Sequence, residues 1–212
     1  MKKNKTAIFL LILIILNTIT IIYLANFRYY VFYENYYKKQ FEQNNIYSKL
    51  PQADLALNNL FLFFNGKDNI DNDFFNENER SHLQDVKELI NKVIVIFYFL
   101  VFSEILLVFL LYHLAKKRFK KHIKFVLLYS GSIILITSII FYLFSNNFNN
   151  LFIIFHEIFF PQGNWLFPAN SNLINLFPQT FFYSFFYKLM LNSFITSMII
   201  FTIGLLLFSE EK

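Results

Sequence analysis

Two of the four histidines in this 212-residue sequence have the neighbours expected of proton-transfer groups. Asp85 follows His82 by three residues, which would place both on one face of a helix, and Glu157 follows His156 directly. An imidazole with a pKa near 6.5 can accept and return a proton near neutral pH. The pattern predicts general acid–base chemistry at His82 and His156, with Asp85 and Glu157 as supporting groups.

Other chemistries are excluded or disfavoured by the residue types present. The sequence has no cysteine, which excludes thiolate nucleophiles, disulfides and cysteine-ligated metals. No H-E-x-x-H spacing fixes zinc ligands on one helical face, so we expect no metal and no cofactor. We interpret His113 and His122, which lie in or beside a basic cluster, as structural. A structural role as a cap or interface residue also stays open for His82 and His156.

Four apolar stretches are long enough to cross a membrane, and they cover residues 7–27, 93–114, 125–144 and 189–208. At 1.5 Å per residue, each matches a hydrocarbon core of roughly 30 Å. Only 16% of the residues are charged and 56% are hydrophobic, more apolar surface than a small soluble core could bury. The sequence therefore predicts an all-α integral membrane protein with four transmembrane helices, forming one membrane domain over residues 1–212.

Basic residues at the start of the chain and in the loop 115–124 predict the orientation of the spans. Both regions should be cytoplasmic because such loops are enriched in Lys and Arg, and the C-terminus then lies on the same side. The outer segments 28–92 and 145–188 would form an extracytoplasmic cap that carries His82 and His156. The basic residues are Lys2, Lys3, Lys5, Lys116, Lys117, Arg118, Lys120, Lys121 and Lys124.

Glu104 lies in the middle of the second predicted span, where an acid is costly and therefore a functional candidate. It is roughly 33 Å along the helix from His82, too far to share its chemistry. We expect it to form hydrogen bonds with polar groups of neighbouring spans. The candidates are Ser130, Ser132, Asn192 and Thr196.

The start of the helix that carries His82 and a short apolar segment around His156 are also open to interpretation. Ser81 is the expected N-cap of the first, with Asn76 and Asn78 as competitors. The apolar residues 151–160 are too few to cross a bilayer and predict a short interfacial helix.

Two segments resemble signatures of the bacterial lipoprotein intramolecular transacylase (Lit) family. Ser81-His82-Leu83-Gln84-Asp85-Val86-Lys87 resembles its H-M-x-D-V-K motif, with leucine in place of methionine. The second signature is similar to the segment from Phe155 to Phe160, followed by Asn164-Trp165 and by Leu173-Ile174 to Phe177-Pro178. The order of spans and outer segments also resembles the family over essentially the whole chain.

The resemblance implies a reaction on diacylglyceryl-modified lipoproteins in the bacterial cell membrane. The sn-2 acyl chain would move to the α-amino group of the N-terminal cysteine, giving a lyso-form lipoprotein. One histidine would act as general base and the other would stabilise the oxyanion, with His156 favoured as the base. Asp85 would orient His82 by accepting its other ring proton, and Asn164 and Trp165 would line the substrate pocket.

Several alternatives stay open from the sequence. An acyl-imidazole intermediate competes with the general-base mechanism. A non-enzymatic membrane scaffold or chaperone subunit would leave the paired histidines without a role. A small transporter would use Glu104 as the coupling residue, although the sequence shows no internal repeat.

Overall fold

The computed structural model describes residues 2–209, with side chains described for residues 5–207, and this part of the chain is helical without a strand. The all-α prediction is confirmed. The helices are α1 (Lys2–Val31), α2 (Glu34–Gln43), α3 (Ile46–Lys49), α4 (Ala53–Phe64), α5 (Glu77–Ala115), α6 (Phe119–Phe144), α7 (Phe148–Phe159), α8 (Asn172–Leu176) and α9 (Gln179–Ser209). Short 3₁₀ turns at Lys116–Arg118 and Ser145–Asn147 connect α5 to α6 and α6 to α7.

Three helical stretches of the described chain are long and apolar enough to cross a membrane. They are Lys5–Val31, Glu77–Phe159 and Gln179–Leu207. The second has 83 residues because it includes α5, α6, α7 and the turns between them. The predicted spans 93–114 and 125–144 both fall within it, and His82 and His156 lie outside those two spans. The number of spans, four, stays a prediction.

The chain divides into two compact units. The first contains the residues up to 28, residues 93–144 and those from 188 onward. The second contains residues 29–92 and 145–187. The second unit coincides within a residue with the two predicted outer segments.

In the first unit, polar contacts join α1 to its neighbours within an apolar environment. Ile14, Leu111 and Val126 form the buried apolar cluster. The Thr18 hydroxyl donates to Oε1 of Glu104 at 2.7 Å. The contacts of α1 with α6 and α9 are Tyr23 O–H to Thr137 Oγ1 at 2.7 Å and Asn26 Nδ2 to Ser193 Oγ at 3.1 Å.

Glu104 has the kind of partner that the sequence predicts, but not one of the named candidates. We expected a polar group of a neighbouring span, such as Ser130, Ser132, Asn192 or Thr196, and the hydroxyl that binds Glu104 is that of Thr18 in α1. The physical reason is that α1 and α5 lie side by side, since the Asn17 amide on the same turn donates to the carbonyl of Leu100 at 3.2 Å. The contact is an interhelical hydrogen bond, as expected for an acid at this depth.

The second unit has a core of aromatic and aliphatic side chains from α2, α3, α4, α5, α8 and the loop between α4 and α5. Phe41, Leu57, Phe75, Leu83 and Leu176 are among its buried members. Leu83 belongs to the turn of α5 that carries His82, so packing of this core fixes the position of that turn. The predicted interfacial helix at 151–160 corresponds to α7.

Candidate functional site

His82 lies in the second turn of α5 and is only 7% exposed. Its neighbour Leu83 packs into the core of the second unit, which holds this part of α5 in place. The rings of Phe160 and Phe167 pack edge-on against the imidazole, with centroids 4.7 Å and 5.6 Å away. His82 is thus held in an apolar, aromatic environment.

His156 lies in the last turns of α7 and is 8% exposed. Its Nδ1 atom is 2.7 Å from the carbonyl oxygen of Phe152, one turn earlier on the same helix. Because a carbonyl oxygen can only accept a hydrogen bond, Nδ1 must carry a proton. In the neutral ring, Nε2 therefore has the free lone pair and can act as a base.

The structure brings the two histidines together. Their ring centroids are 6.0 Å apart and the ring planes are inclined by 25°. The indole of Trp165 packs on His156 with a centroid distance of 4.8 Å, and Phe152 covers it at 4.1 Å. Two imidazoles distant in sequence therefore share one aromatic pocket.

The electrostatics of the pocket favour neutral imidazoles. Burial lowers the pKa of His82 from its usual 6.5 to about 4; the charge of His156 adds to the decrease, and Asn164 and Asp85 oppose it. Burial also lowers the pKa of His156, against the opposing effect of the Phe152 carbonyl. Near pH 7 both rings are uncharged, the state in which a histidine accepts protons.

Asp85 is the centre of a hydrogen-bond network beside His82. Its Oδ2 atom accepts from Nδ2 of Asn164 at 2.6 Å and from Nε2 of Gln162 at 2.7 Å. Asn164 Nδ2 also lies 3.3 Å from the Ser81 hydroxyl. The network joins the loop after α7 to α5. Asp85 acts on His82 through its charge, and its hydrogen bonds go to the two amides instead of the imidazole.

Two buried polar atoms of the site, one on Asn164 and one on His82, have no hydrogen-bond partner among the described residues. Oδ1 of Asn164 and Nδ1 of His82 are both buried, and within the described part of the chain neither has a hydrogen-bond partner. The Asn164 side chain is nevertheless close enough to raise the pKa of His82. Because the Asn164 side chain favours the protonated form of His82, it is placed to stabilise the charged ring.

Comparison with known proteins identifies the family. The family model of the lipoprotein intramolecular transacylase Lit matches residues 5–182. The chain belongs to the Lit family. Membership in this family supports acyltransferase activity and a lipoprotein substrate. It also supports a location in the membrane, which agrees with the long apolar helices. No curated protein matches the chain.

Solved structures of the membrane-integral Lit from Bacillus cereus share the fold. One is 18% identical and superposes with a TM-score of 0.85, covering 98% of both chains. A variant with a histidine-to-arginine mutation is 17% identical, with a TM-score of 0.79 over 98% of this chain and 94% of that one. A histidine-to-alanine variant is 16% identical, with a TM-score of 0.77 over 98% and 96%. At these identities the likeness establishes the fold alone.

Glu157 is not placed to support its neighbour in the way the sequence predicts. Its side chain is exposed whereas that of His156 is buried, because consecutive residues on a helix point in different directions. The group that orients His156 is the backbone carbonyl of Phe152. The carbonyl four residues earlier is available to any helical residue, so sequence alone gives no signal for it.

The structure also sorts the other candidate residues. Trp165 contacts His156, and Asn164 belongs to the Asp85 network, so both expected pocket residues lie beside the histidines. His113 and His122 belong to the first unit. No group of three or more potential metal ligands occurs among the described residues.

Gln162 was missed from the sequence although it binds Asp85 directly. Its position after Pro161, in a loop between two signature segments, was the available signal.

Proposed function

We propose that this Lit family member transfers the sn-2 acyl chain of a diacylglyceryl-modified N-terminal cysteine to the α-amino group of that cysteine. The product is a lyso-form lipoprotein with an N-acyl group. Family membership supports the class of substrate and reaction. The observation that carries the proposal is the pair of buried imidazoles, His82 and His156, with ring centroids 6.0 Å apart.

The number of protons that must move explains why two histidines are needed. An α-amino group with a pKa of about 7.7–8.0 is mostly an ammonium at pH 7, with three N–H bonds. The amide product has one. Of the two protons released, one must reach the leaving glycerol oxygen and the other leaves to solvent. Two neutral imidazoles provide two acceptors for these protons.

His156 is the base for the attacking amine. The Phe152 carbonyl fixes the tautomer, so the lone pair on Nε2 is available without rearrangement. As the nitrogen attacks the ester carbonyl carbon and the N–C bond forms, Nε2 accepts the proton that the nitrogen loses. The lowered pKa of His156 keeps this base neutral at physiological pH.

His82 holds the second proton and stabilises the tetrahedral intermediate. It accepts one proton from the incoming ammonium, and Asn164 and Asp85 stabilise the charged ring. The imidazolium then donates a hydrogen bond to the developing oxyanion. In the substrate-free protein the pKa of His82 is about 4, so its charged ring gives up a proton readily. It protonates the glycerol oxygen as the C–O bond breaks.

Both reacting groups belong to one substrate molecule, so positioning supplies much of the rate. The headgroup need only fold into a ring of roughly eight atoms to bring the amine to the ester. We propose that Trp165, which packs on His156, forms part of the wall that holds this folded headgroup. The apolar helices would allow the acyl chains to remain in the bilayer.

We also propose that the chain crosses the membrane four times, with both termini in the cytoplasm and the histidine pair outside. The basic loop 115–124 supports this orientation. Because the sequence has no cysteine, single cysteines introduced at exposed Leu55 and exposed Lys117 can be labelled selectively. A thiol reagent that cannot cross membranes should label Leu55→Cys in intact cells and Lys117→Cys only after lysis. The reverse pattern would overturn the orientation.

The proposed activity is tested in a bacterial host that lacks its own lipoprotein N-acylation. Mass spectrometry of lipoprotein N-termini should show lyso-form peptides with the wild type. They should be absent with His82→Gln or His156→Gln at equal protein levels. His113→Gln, which changes an exposed histidine of the first unit, is the matched control and should retain the product.

Lyso-form product in both site variants would contradict the assignment and leave a scaffold role for the pair. Product that depends on a hydroxylamine-sensitive acylated form of the enzyme would favour the acyl-imidazole mechanism instead of direct attack.

A further inference from the structure

Glu79 is a buried carboxylate that the proposed chemistry does not use. Its side chain is only 1% exposed, a degree of burial that a carboxylate rarely has without compensating partners. Within the described part of the chain, no ion pair is found for Glu79. Its partners are the backbone N–H groups of Asn76, the residue before α5, and of Leu173 in α8.

One oxygen of Glu79 caps the helix to which it belongs. Oε2 accepts from the backbone N–H of Asn76 at 2.8 Å, and Oδ1 of Asn76 accepts from the backbone N–H of Glu79 at 3.0 Å. Asn76 is the residue before α5, so the two side chains form a reciprocal capping box at its N-terminus. A negative charge is also favourable at this end of a helix.

The other oxygen of Glu79 binds α8. Oε1 accepts from the backbone N–H of Leu173 at 2.9 Å, a contact between residues 94 positions apart. Beside it, Nδ2 of Asn172 donates to the carbonyl of Phe74 at 2.7 Å. A single carboxylate therefore joins the first turn of α8 to the first turn of α5.

The contact between Glu79 and Leu173 lies close to both histidines, to His82 along α5 and to His156 along the segment that connects α7 to α8. His82 follows Glu79 by three residues and is on the same face of α5. The segment 160–171, which leads into α8, carries the two rings that pack on His82, Phe160 and Phe167. One end of that segment follows α7 and its His156, and the other end is fixed through Leu173.

We propose that Glu79 is a positioning residue for the proposed transfer: by fixing α8 on the start of α5, it holds the segment 160–171 and sets the separation of His82 and His156. It does not contact the reacting atoms. This inference rests on the proposed function, because its effect is read from the acyl transfer rate.

Glu79→Gln tests the proposal with almost no change in side-chain volume. Asn76 and Leu173 donate to different oxygens of Glu79, and in glutamine one of these becomes an NH₂ group, which cannot accept from an N–H, so one of the two bonds is lost. In purified protein reconstituted in lipid, kcat should fall about tenfold or more while KM stays within about twofold, since displacement of reacting groups slows the chemical step.

Two controls separate positioning from general stabilisation. Asn76→Ala removes the side-chain cap of α5 but leaves the bond from Glu79 to Leu173, so it should retain a kcat close to that of wild type. Glu88→Gln makes the same chemical change at an exposed position of the same helix and should also be close to wild type. If Glu79→Gln reduces kcat no more than Asn76→Ala or Glu88→Gln, the proposal is wrong.

Hydrogen exchange provides a reading on the wild type that needs no variant. The Leu173 amide should be as strongly protected as the Asn76 amide, because one carboxylate binds both. Rapid exchange at Leu173 alone would overturn the proposal even if Glu79→Gln failed to fold. A wild-type protein that makes no product at all would instead contradict the proposed function, and this exchange result would still stand.

Discussion

Protonation of the histidine pair should destabilise the folded protein in mild acid, and His82 should account for a measurable share. The folded pKa of His82 is about 4, whereas the unfolded chain has an ordinary pKa of 6.5. Between these values the unfolded chain binds a proton that the folded chain does not. The free energy of unfolding therefore has its full His82 contribution above pH 6.5 and loses it as the pH falls toward 4.

The size of the effect follows from the difference between the two pKa values. At pH 4.5 the unfolded imidazole is almost fully protonated, and most folded molecules still have a neutral His82. Proton linkage then gives a loss of about 2–3 kcal/mol relative to pH 7.5. The main physical cause is burial of the ring among aromatic side chains, and the charge of His156 adds to it.

The assay is denaturant unfolding in detergent at pH 7.5 and pH 4.5, followed by the fluorescence of Trp165, the only tryptophan in the sequence. Carboxylates also titrate in this range, so wild type is compared with His82→Gln, which is uncharged at both pH values. The loss on acidification should be about 2–3 kcal/mol smaller in the variant. If the two proteins lose the same free energy of unfolding on acidification, within about 0.5 kcal/mol, burial does not lower the pKa of His82 as stated.

Three further predictions concern the site and the apolar unit. Asp85→Asn should slow acyl transfer about tenfold in a lipopeptide assay, because the variant loses the negative charge that binds two amide groups and favours protonated His82. An unchanged rate would exclude that role. The fluorescence of Trp165 in the folded protein should be constant above pH 6.5 and quenched below it as His156 gains a proton. His156→Gln should abolish this pH dependence; if it persists in the variant, a group other than His156 causes the quenching. Gly131→Ala should destabilise the protein by about 1–3 kcal/mol in detergent melts, because a Cβ would lie 2.9 Å from that of Phe201; a neutral effect would show that the two helices separate easily.

Residue types and signature spacing were enough to predict which histidines meet, but not what holds them. His82 and His156 are brought together by tertiary packing, and the resemblance of both motifs to one family made that pairing an expectation. The partners of Asp85 could not be predicted, because they come from a loop about 80 residues later whose path depends on the whole second unit.

Local rules on helices explain two further differences. Adjacency in sequence suggested that Glu157 supports His156, yet neighbours on a helix face different directions, and a backbone carbonyl provides the support instead. The start of α5 was readable: Asn76 followed three residues later by Glu79 is a capping-box pattern, and it prevails over Ser81 because both side chains satisfy orphan N–H groups.

The partner of Glu104 illustrates what apolar stretches leave undetermined. Their lengths predict that helices can span, and α1, α5, α6 and α9 contain the expected stretches. Their order around one another is set by side-chain packing and by a few polar contacts. Hydroxyl groups occur on every neighbouring helix, so only the structure distinguishes Thr18 from the other candidates.

Under the proposed function, one pocket moves an acyl chain within a single lipoprotein molecule. The direct measurement uses purified protein in lipid with two synthetic diacylglyceryl lipopeptides of different peptide sequence, only one of which carries an isotope label in its sn-2 chain. Mass spectrometry should find the label on the α-nitrogen of the peptide that supplied it, with none transferred to the other. Label on both peptides, or N-acylation derived from the sn-1 chain, would rule out intramolecular transfer of the sn-2 chain.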